Sequence, residues 1–236
     1  MRIHFLGTSH GIPEPNRRCS CAMVEIDGYY YFIDMGLMAI YDMVTNHQNV
    51  SNTKAIFVTH MHGDHTDGLF SFADLISWVY TDAKTIFYLP QMEGASIIRD
   101  WIDLTSDANN PLDFRPVESG VLYTDERLTV TAIRTQHCKF SYAYLLQAEG
   151  KNVLFTGDIK HPGDDFPQLD LPLDLVVCEG AHFPVIDYLP VFADLQIKQV
   201  CVHHYAPWNY PHILDLQKKL APIPVQYAND RMTLDV

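Results

Sequence analysis

Apolar positions in this chain fall in short runs separated by polar turns, and each run's length and spacing predict an element. Ala55-Ile56-Phe57-Val58 is continuously apolar and reads as a buried strand. Leu128-Thr129-Val130-Thr131-Ala132-Ile133, Asn152-Val153-Leu154-Phe155, Leu173-Asp174-Leu175-Val176-Val177-Cys178 and Gln199-Val200-Cys201-Val202-His203 read the same way, as does the opening Met1 to Gly7. Leu69, Phe72, Ala73, Ile76 and Val79 instead recur at helical spacing, which predicts an amphipathic helix. That helix is expected to start just after the polar segment His60 to His65, with Gly63 permitting a tight turn inside it. Asp27-Gly28 and Glu149-Gly150 each join two β-prone runs and predict two hairpins. The second run of each hairpin ends near an aspartate, Asp34 after Tyr29 to Ile33 and Asp158 after Asn152 to Phe155. The repetition suggests two similar halves packed face to face, a central β-sandwich with helices outside.

Length and composition fit that layout. The chain has 236 residues, 47% of them hydrophobic, and no Pro/Gly/Ser-rich linker or charge run divides it, so residues 1–236 are expected to form one domain. The N-terminus lacks the apolar core of a signal peptide, and no segment is long and apolar enough to span a bilayer. Five cysteines, Cys19, Cys21, Cys138, Cys178 and Cys201, form no disulfide framework, which points to a cytoplasmic protein with free thiols. A formal net charge of -13 disfavours long-range attraction to a polyanion, so no large nucleic acid is expected as partner, and no membrane. Arg17-Arg18 and Lys218-Lys219 are isolated basic pairs.

The chemistry concentrates in His60-Met61-His62-Gly63-Asp64-His65, which places three imidazoles and a carboxylate within six residues at the end of a predicted strand. Residues i and i+2 of an extended loop point the same way, so His60 and His62 can grip one metal ion. Asp64 and His65, beyond the turn, can reach a second. Imidazole and carboxylate suit zinc and similar ions. Two complete sites need further ligands, and His137, Asp158 and His204 each lie at or just past a predicted strand end.

The order H-x-H-x-D-H, then His137, then Asp158 in a T-G-D strand end, then His204, resembles the metallo-β-lactamase superfamily of metal hydrolases. The resemblance spans nearly the whole chain and includes Phe5-Leu6-Gly7-Thr8-Ser9-His10-Gly11-Ile12-Pro13 and Phe32-Ile33-Asp34-Met35-Gly36. It implies an α/β fold, the four-layered αββα sandwich. It also implies that His60, His62 and His137 hold one metal and Asp64, His65 and His204 the other, with Asp158 bridging. Of the adjacent pair His203-His204, only one should reach the metals, since neighbouring strand residues face opposite ways, and the family's V-L-x-T-H pattern favours His204. The cofactors implied are two divalent metal ions, Zn2+ before Mn2+ or Fe2+. Cys19-x-Cys21 lacks partner cysteines and reads as two ordinary thiols rather than the accessory metal site some relatives carry.

Within the superfamily, the F-L-G-T opening, H-M-H-G-D-H-x-x-G-L and Glu179-Gly180-Ala181-His182 resemble the phosphodiesterase branch, which contains tRNase Z-type nucleases and small cyclic-phosphate phosphodiesterases. No Gly/Pro-rich basic arm of the tRNase Z kind lies between His65 and His137. The expected activity is therefore hydrolysis of small phosphodiesters or nucleotides by a hydroxide held between two metals, with Asp64 ligating and orienting it. A lactone, thioester or β-lactam hydrolase on the same ligands, and a non-catalytic metal-binding module, are the alternatives. A homodimer is an expectation from the resemblance.

Three further residues carry expectations. Asp34 has no place in the seven-ligand set and is expected to accept a hydrogen bond from a ligand histidine. Expulsion of an alkoxide calls for a general acid, and His182, after the Leu173–Cys178 strand and before a helix expected over Ala193 to Lys198, is the candidate, held protonated by Glu179. His4, His47, His161 and His212 read as structural or loop residues, His10 as bordering the site, and Tyr205 and Trp208 as pocket lining or core.

Overall fold

Strand-forming runs pair into two sheets. The computed structural model describes residues 1–12, 14–104 and 110–236, so Pro13 of the opening motif lies outside the described residues. The strands are β1 (Arg2–Gly7), β2 (Cys21–Ile26), β3 (Tyr29–Ile33), β4 (Thr53–Phe57), β5 (Ile86–Leu89), β6 (Asp113–Pro116), β7 (Gly120–Thr124), β8 (Thr129–Thr135), β9 (Ser141–Ala148), β10 (Lys151–Phe155), β11 (Leu175–Gly180), β12 (Val200–Tyr205), β13 (Val225–Tyr227) and β14 (Met232–Asp235). The helices are α1 (Ala39–Thr45), α2 (Gly63–Trp78), α3 (Glu93–Asp103), α4 (Pro162–Asp165), α5 (Leu189–Ala193) and α6 (Tyr210–Leu220).

One sheet runs β14-β1-β2-β3-β4-β5-β6 and the other β13-β12-β11-β10-β9-β8-β7. Each half repeats the same plan. The hairpin strand β3 continues in parallel through β4, β5 and β6, and its counterpart β10 continues in parallel through β11, β12 and β13. Both hairpins turn on two residues with positive φ, Asp27 (51°) with Gly28 (74°) and Glu149 (52°) with Gly150 (71°). That backbone matches the right-handed twist of the paired strands.

Alternation along the strands assigns the layers. Tyr31 and Ile33 of β3 face inward, packing with Phe57, Val130, Tyr144, Val153 and Phe155 between the two sheets. Phe32 faces outward, packing with Ile56, Phe72, Ile76 and Ile98 beneath α1–α3. Leu154, Val176 and Val202 do the same on the second sheet, beneath Phe192, Ile213 and Leu216 of α5 and α6. The result is the expected α-β-β-α sandwich. Its central parallel strands are covered on both faces, which explains why they read as continuous apolar runs. Phe57 has no exposed surface, and truncating it to alanine would cost about 3–5 kcal/mol.

Two expected helix boundaries move. The helix begins at Gly63, inside the polar cluster, and His62 is its extended N-cap residue. Asp64 and His65 therefore lie in a first helical turn, where a carboxylate suits the positive end of the helix dipole. Close packing explains the early start. Met35 N donates to His65 O at 2.8 Å and Gly68 N to Met35 O at 2.8 Å, docking the helix on the loop after β3. A Cβ on Gly68 would come 1.7 Å from Leu37 O, and one on Gly36 would come 1.8 Å from Asp64 O.

The helix expected over Ala193 to Lys198 is displaced. α5 ends at Ala193, having begun where Pro190 sits in its first turn. The following chain extends so that Ile197 can bridge to Leu173.

Candidate metal centre

Carboxyl ends of strands from both sheets converge on one edge of the sandwich. His60 and His62 follow β4, Asp64 and His65 open α2, His137 follows β8, Asp158 follows β10 and Glu179 and His182 come from the end of β11. His204 lies inside β12, where the pairing slips: Cys178 opposes Val202, but Gly180 opposes Tyr205. His203 and His204 thus stand against Glu179 alone, a bulge that breaks strict alternation, and His204 takes a φ of +48°. His203 turns inward and its Nε2 donates to Gly7 O at 2.8 Å. His204 Nε2 faces the cluster, 3.5 Å from Asp158 Oδ1 and 3.7 Å from Asp64 Oδ2.

The side chains form two adjoining three-residue groups, joined through Asp158 by two overlapping ones, His60 with His65 and Asp158, and His137 with Asp158 and His182. His60, His62 and His137 bring one ring nitrogen each within 4.8 Å of one another, as do Asp64, His65 and His204 with one ligand atom each. His60 Nε2 lies 2.9 Å from His62 Nδ1, which lies 3.4 Å from His137 Nε2. His65 Nε2 lies 3.3 Å from Asp64 Oδ2. Asp158 stands between the groups, with Oδ2 at 3.6 Å from His60 Nε2 and from His65 Nε2 and at 3.7 Å from His137 Nε2. Ligands at about 2.0–2.1 Å in a tetrahedron lie roughly 3.4 Å apart, which these spacings match.

Two tests of fit agree. His65 Nε2 and Asp158 Oδ1 are buried without a hydrogen-bond partner, so polar atoms point into the cluster that a cation would satisfy. The charge pattern is the second. Burial pushes His60 down to about 2 and lowers His137, leaving the neutral imidazoles that ligate metals. Burial opposes ionisation of Asp64, but the hydrogen bond and charge of His65 and the charge of His204 prevail and bring it to about 2. Burial likewise opposes a charge on His65, and Asp158 and Asp34 overcome it. The ionised carboxylates thus draw positive charge into the cluster. Cys19 and Cys21 are buried free thiols and join no such group among the described residues.

A ring of hydrogen bonds orients these side chains. His65 Nδ1 donates to Asp34 Oδ2 at 2.7 Å. Asp34 also accepts from Thr59 N at 2.7 Å and from Thr59 Oγ1 at 2.9 Å. Thr59 Oγ1 lies 3.1 Å from His60 Nδ1 and so can accept its proton. On the other side, His182 Nδ1 donates to Glu179 Oε2 at 2.7 Å, and His182 Nε2 sits 3.9 Å from Asp158 Oδ2. The hydrogen bond to Glu179 raises His182 to about 9. Buried Asp165 accepts from Gln136 N and from Lys160 N, each at 2.8 Å, tying the loop of His137 to that of Asp158.

Thr59 and Asp165 carry no sequence signal beyond being a Thr and an Asp near chemistry-bearing segments. Gly11 borders the site, since a Cβ there would meet Asp64 Oδ2 at 3.0 Å, whereas the ring of its neighbour His10 lies 3.2 Å from Glu14 Oε1. Tyr205 is core, whereas Trp208 is 51% exposed on the adjoining turn.

Residues 1–171 match the family described as anti-Pycsar protein Apyc1. The chain belongs to the anti-Pycsar protein Apyc1 family. That match takes in His60, His62, Asp64, His65, His137 and Asp158, and ends before Glu179, His182 and His204. Ribonuclease Z of Shouchella clausii is 27% identical over 154 residues, covering 64% of this chain and 49% of the relative. The chain spans about half the length of the curated relatives it matches. Among solved structures, human short-form tRNase Z superposes with a TM-score of 0.78 at 18% identity, covering 100% of this chain and 99% of that one. The metallo-β-lactamase fold protein YhfI of Bacillus subtilis gives 0.71 at 15% identity, covering 99% and 98%. This Apyc1 family member thus has the metallo-β-lactamase fold. Among its described residues, no helix is long and apolar enough to cross a membrane.

Proposed function

We propose that this chain is a dinuclear metal-dependent phosphodiesterase acting on small phosphodiesters or nucleotides. The observation that carries the reading is the pair of three-residue groups sharing Asp158, with the His182–Glu179 pair at their edge. His60, His62 and His137 would hold one divalent ion, Asp64, His65 and His204 the other, and Asp158 both. When bound, the ions, with zinc the expected pair, supply Lewis-acid stabilisation of phosphoryl charge and ease deprotonation of water near neutral pH.

The chain's own groups do the rest. Asp64 would accept a hydrogen bond from the attacking water and aim it, the water having released one proton to solvent before its oxygen bonds to phosphorus. His182 Nε2 faces the site and gives its proton to the departing alkoxide oxygen as the P–O bond breaks. Glu179 keeps that proton available by holding Nδ1.

A second reading, cleavage of RNA, draws support from the ribonuclease Z relatives. The net charge of -13 favours the small substrate, because a phosphate polymer would be repelled at long range. Assays of zinc- and manganese-loaded protein on a bis-aryl phosphodiester, cyclic and linear nucleotides, a structured RNA and a lactone panel test the proposal. Turnover of the small phosphodiesters is expected. Turnover confined to RNA or to lactones would overturn it, and metal binding without any turnover would leave a binding module.

A further inference from the structure

Asn209 is fully buried, at the end of the short 3-10 turn Pro207–Asn209 that follows β12. Its amide makes three hydrogen bonds. Nδ2 donates to Gly180 O and to Phe183 O, both at 2.7 Å, and Oδ1 accepts from Val185 N at 2.8 Å. Phe183 lies in the loop that carries His182, while Gly180, the last residue of β11, and Val185, the first of the following 3-10 turn, flank it. Ala206 N adds a fourth bond to the same place, donating to Gly180 O at 2.9 Å.

That loop has little else to define its backbone. It leaves β11 after Gly180 and takes no regular structure until the 3-10 turn Val185–Tyr188. Glu179 fixes the His182 ring and accepts from Ala181 N at 3.1 Å and His182 N at 3.2 Å, all on the strand side. Phe183 and Val185 are buried in the outer core. Asn209 satisfies the carbonyls and the amide that those contacts leave over, so a buried group spends its hydrogen-bonding capacity on one short segment.

We propose that Asn209 is a positioning residue that sets the reach of His182 Nε2 towards the reacting centre. This rests on the reading of His182 as general acid. None of the hydrogen bonds of the Asn209 side chain goes to a residue of the metal-holding groups. It acts through the backbone of Gly180, Phe183 and Val185. A displacement of about 1 Å in a catalytic group can cost roughly a hundredfold in rate, so a modest shift of this loop is enough to matter.

The test compares Asn209→Ala, His182→Ala and the double variant on phosphodiesters with leaving groups from activated aryl to simple alkyl. Metal content and amide hydrogen exchange of the metal-free proteins are measured alongside. Asn209→Ala should keep both metals and slow alkyl substrates by roughly ten- to a hundredfold while sparing activated aryl substrates. The double variant should be no slower on alkyl substrates than His182→Ala alone, because the two residues serve one step. The Val185 amide should exchange faster in Asn209→Ala, with the amides of α6 still protected. Should Asn209→Ala fail to fold, Asn209→Leu keeps the volume while removing the bonds to Gly180, Phe183 and Val185, and the same leaving-group dependence is expected. Equal slowing of aryl and alkyl substrates, or additive losses in the double variant, would overturn the proposal. A His182→Ala protein without leaving-group dependence would overturn the acid reading and this inference together. Dependence in His182→Ala but not in the Asn209 variants would remove only the inference.

Discussion

Asp34 and Thr156 occupy the same place in the two halves of the molecule. Each is the first residue beyond its hairpin strand, and each donates its backbone N–H to the neighbouring parallel strand, Asp34 to Phe57 O and Thr156 to Val177 O, both at 3.0 Å. The sequence pattern pairs Asp34 with Asp158, which lies two residues beyond Thr156. The register explains the different surroundings of the two aspartates. Asp158 projects between the histidine groups, whereas Asp34 sits beneath them, bonded to His65 directly and linked to His60 through Thr59. Thr156 is the neutral counterpart, its Oγ1 accepting from Glu179 N at 3.3 Å.

Asp34→Asn is therefore expected to weaken metal binding at both groups, by roughly ten- to a hundredfold. Chelator competition on the loaded protein measures it. Thr59→Val should weaken chiefly the His60 group. An Asp34→Asn protein with unchanged affinity would mean that the hydrogen bond to His65 does not tune the ligand.

Protein purified without chelator is expected to carry close to two metal equivalents per chain by elemental analysis. Asp158→Ala should lose metal from both groups, since its two oxygens face both. One equivalent or fewer after reconstitution would contradict the dinuclear reading.

His182 gives a pH signature whose sign follows from its surroundings. Glu179 raises His182 to about 9 from its ordinary 6.5, so the proton-donating form is present below that value and is lost as pH rises through it. Turnover of substrates with poor leaving groups should fall across that range, while activated aryl substrates should hold up better. Glu179→Gln should move the falling limb toward neutral pH. A limb that stays put in this variant would count against Glu179 as the group that holds the proton.

Gly68→Ala tests the docking of α2 on the loop after β3. The added Cβ meets Leu37 O at 1.7 Å, and backbone cannot yield as a flexible side chain can. Overpacking of this kind costs about 1–3 kcal/mol, read from chemical denaturation, and it should loosen Asp64 and His65 at the head of the helix. Wild-type stability and metal affinity in this variant would show that the helix is free to slide.

The layered fold and the seven clustered residues were legible because their signals are local. A β-strand buried on both faces must be a continuous apolar run, a hairpin turn must tolerate positive φ, and ligand-type residues placed just past several such runs are brought to one edge wherever the strands are parallel. The bulge that turns His204 toward the cluster, the start of α2 at Gly63 and the duties of Thr59, Asp165 and Asn209 were decided only by the tertiary structure. A bulge depends on how two strands register. A helix start depends on which loop packs against it. A buried amide or carboxylate has its role set by backbone groups dozens of residues away: Asn209 reaches back to Gly180, and Asp165 to Gln136. Periodicity along a chain records which side of an element is apolar. The partners of a buried polar group are chosen by the folded packing that first brings them within hydrogen-bonding distance.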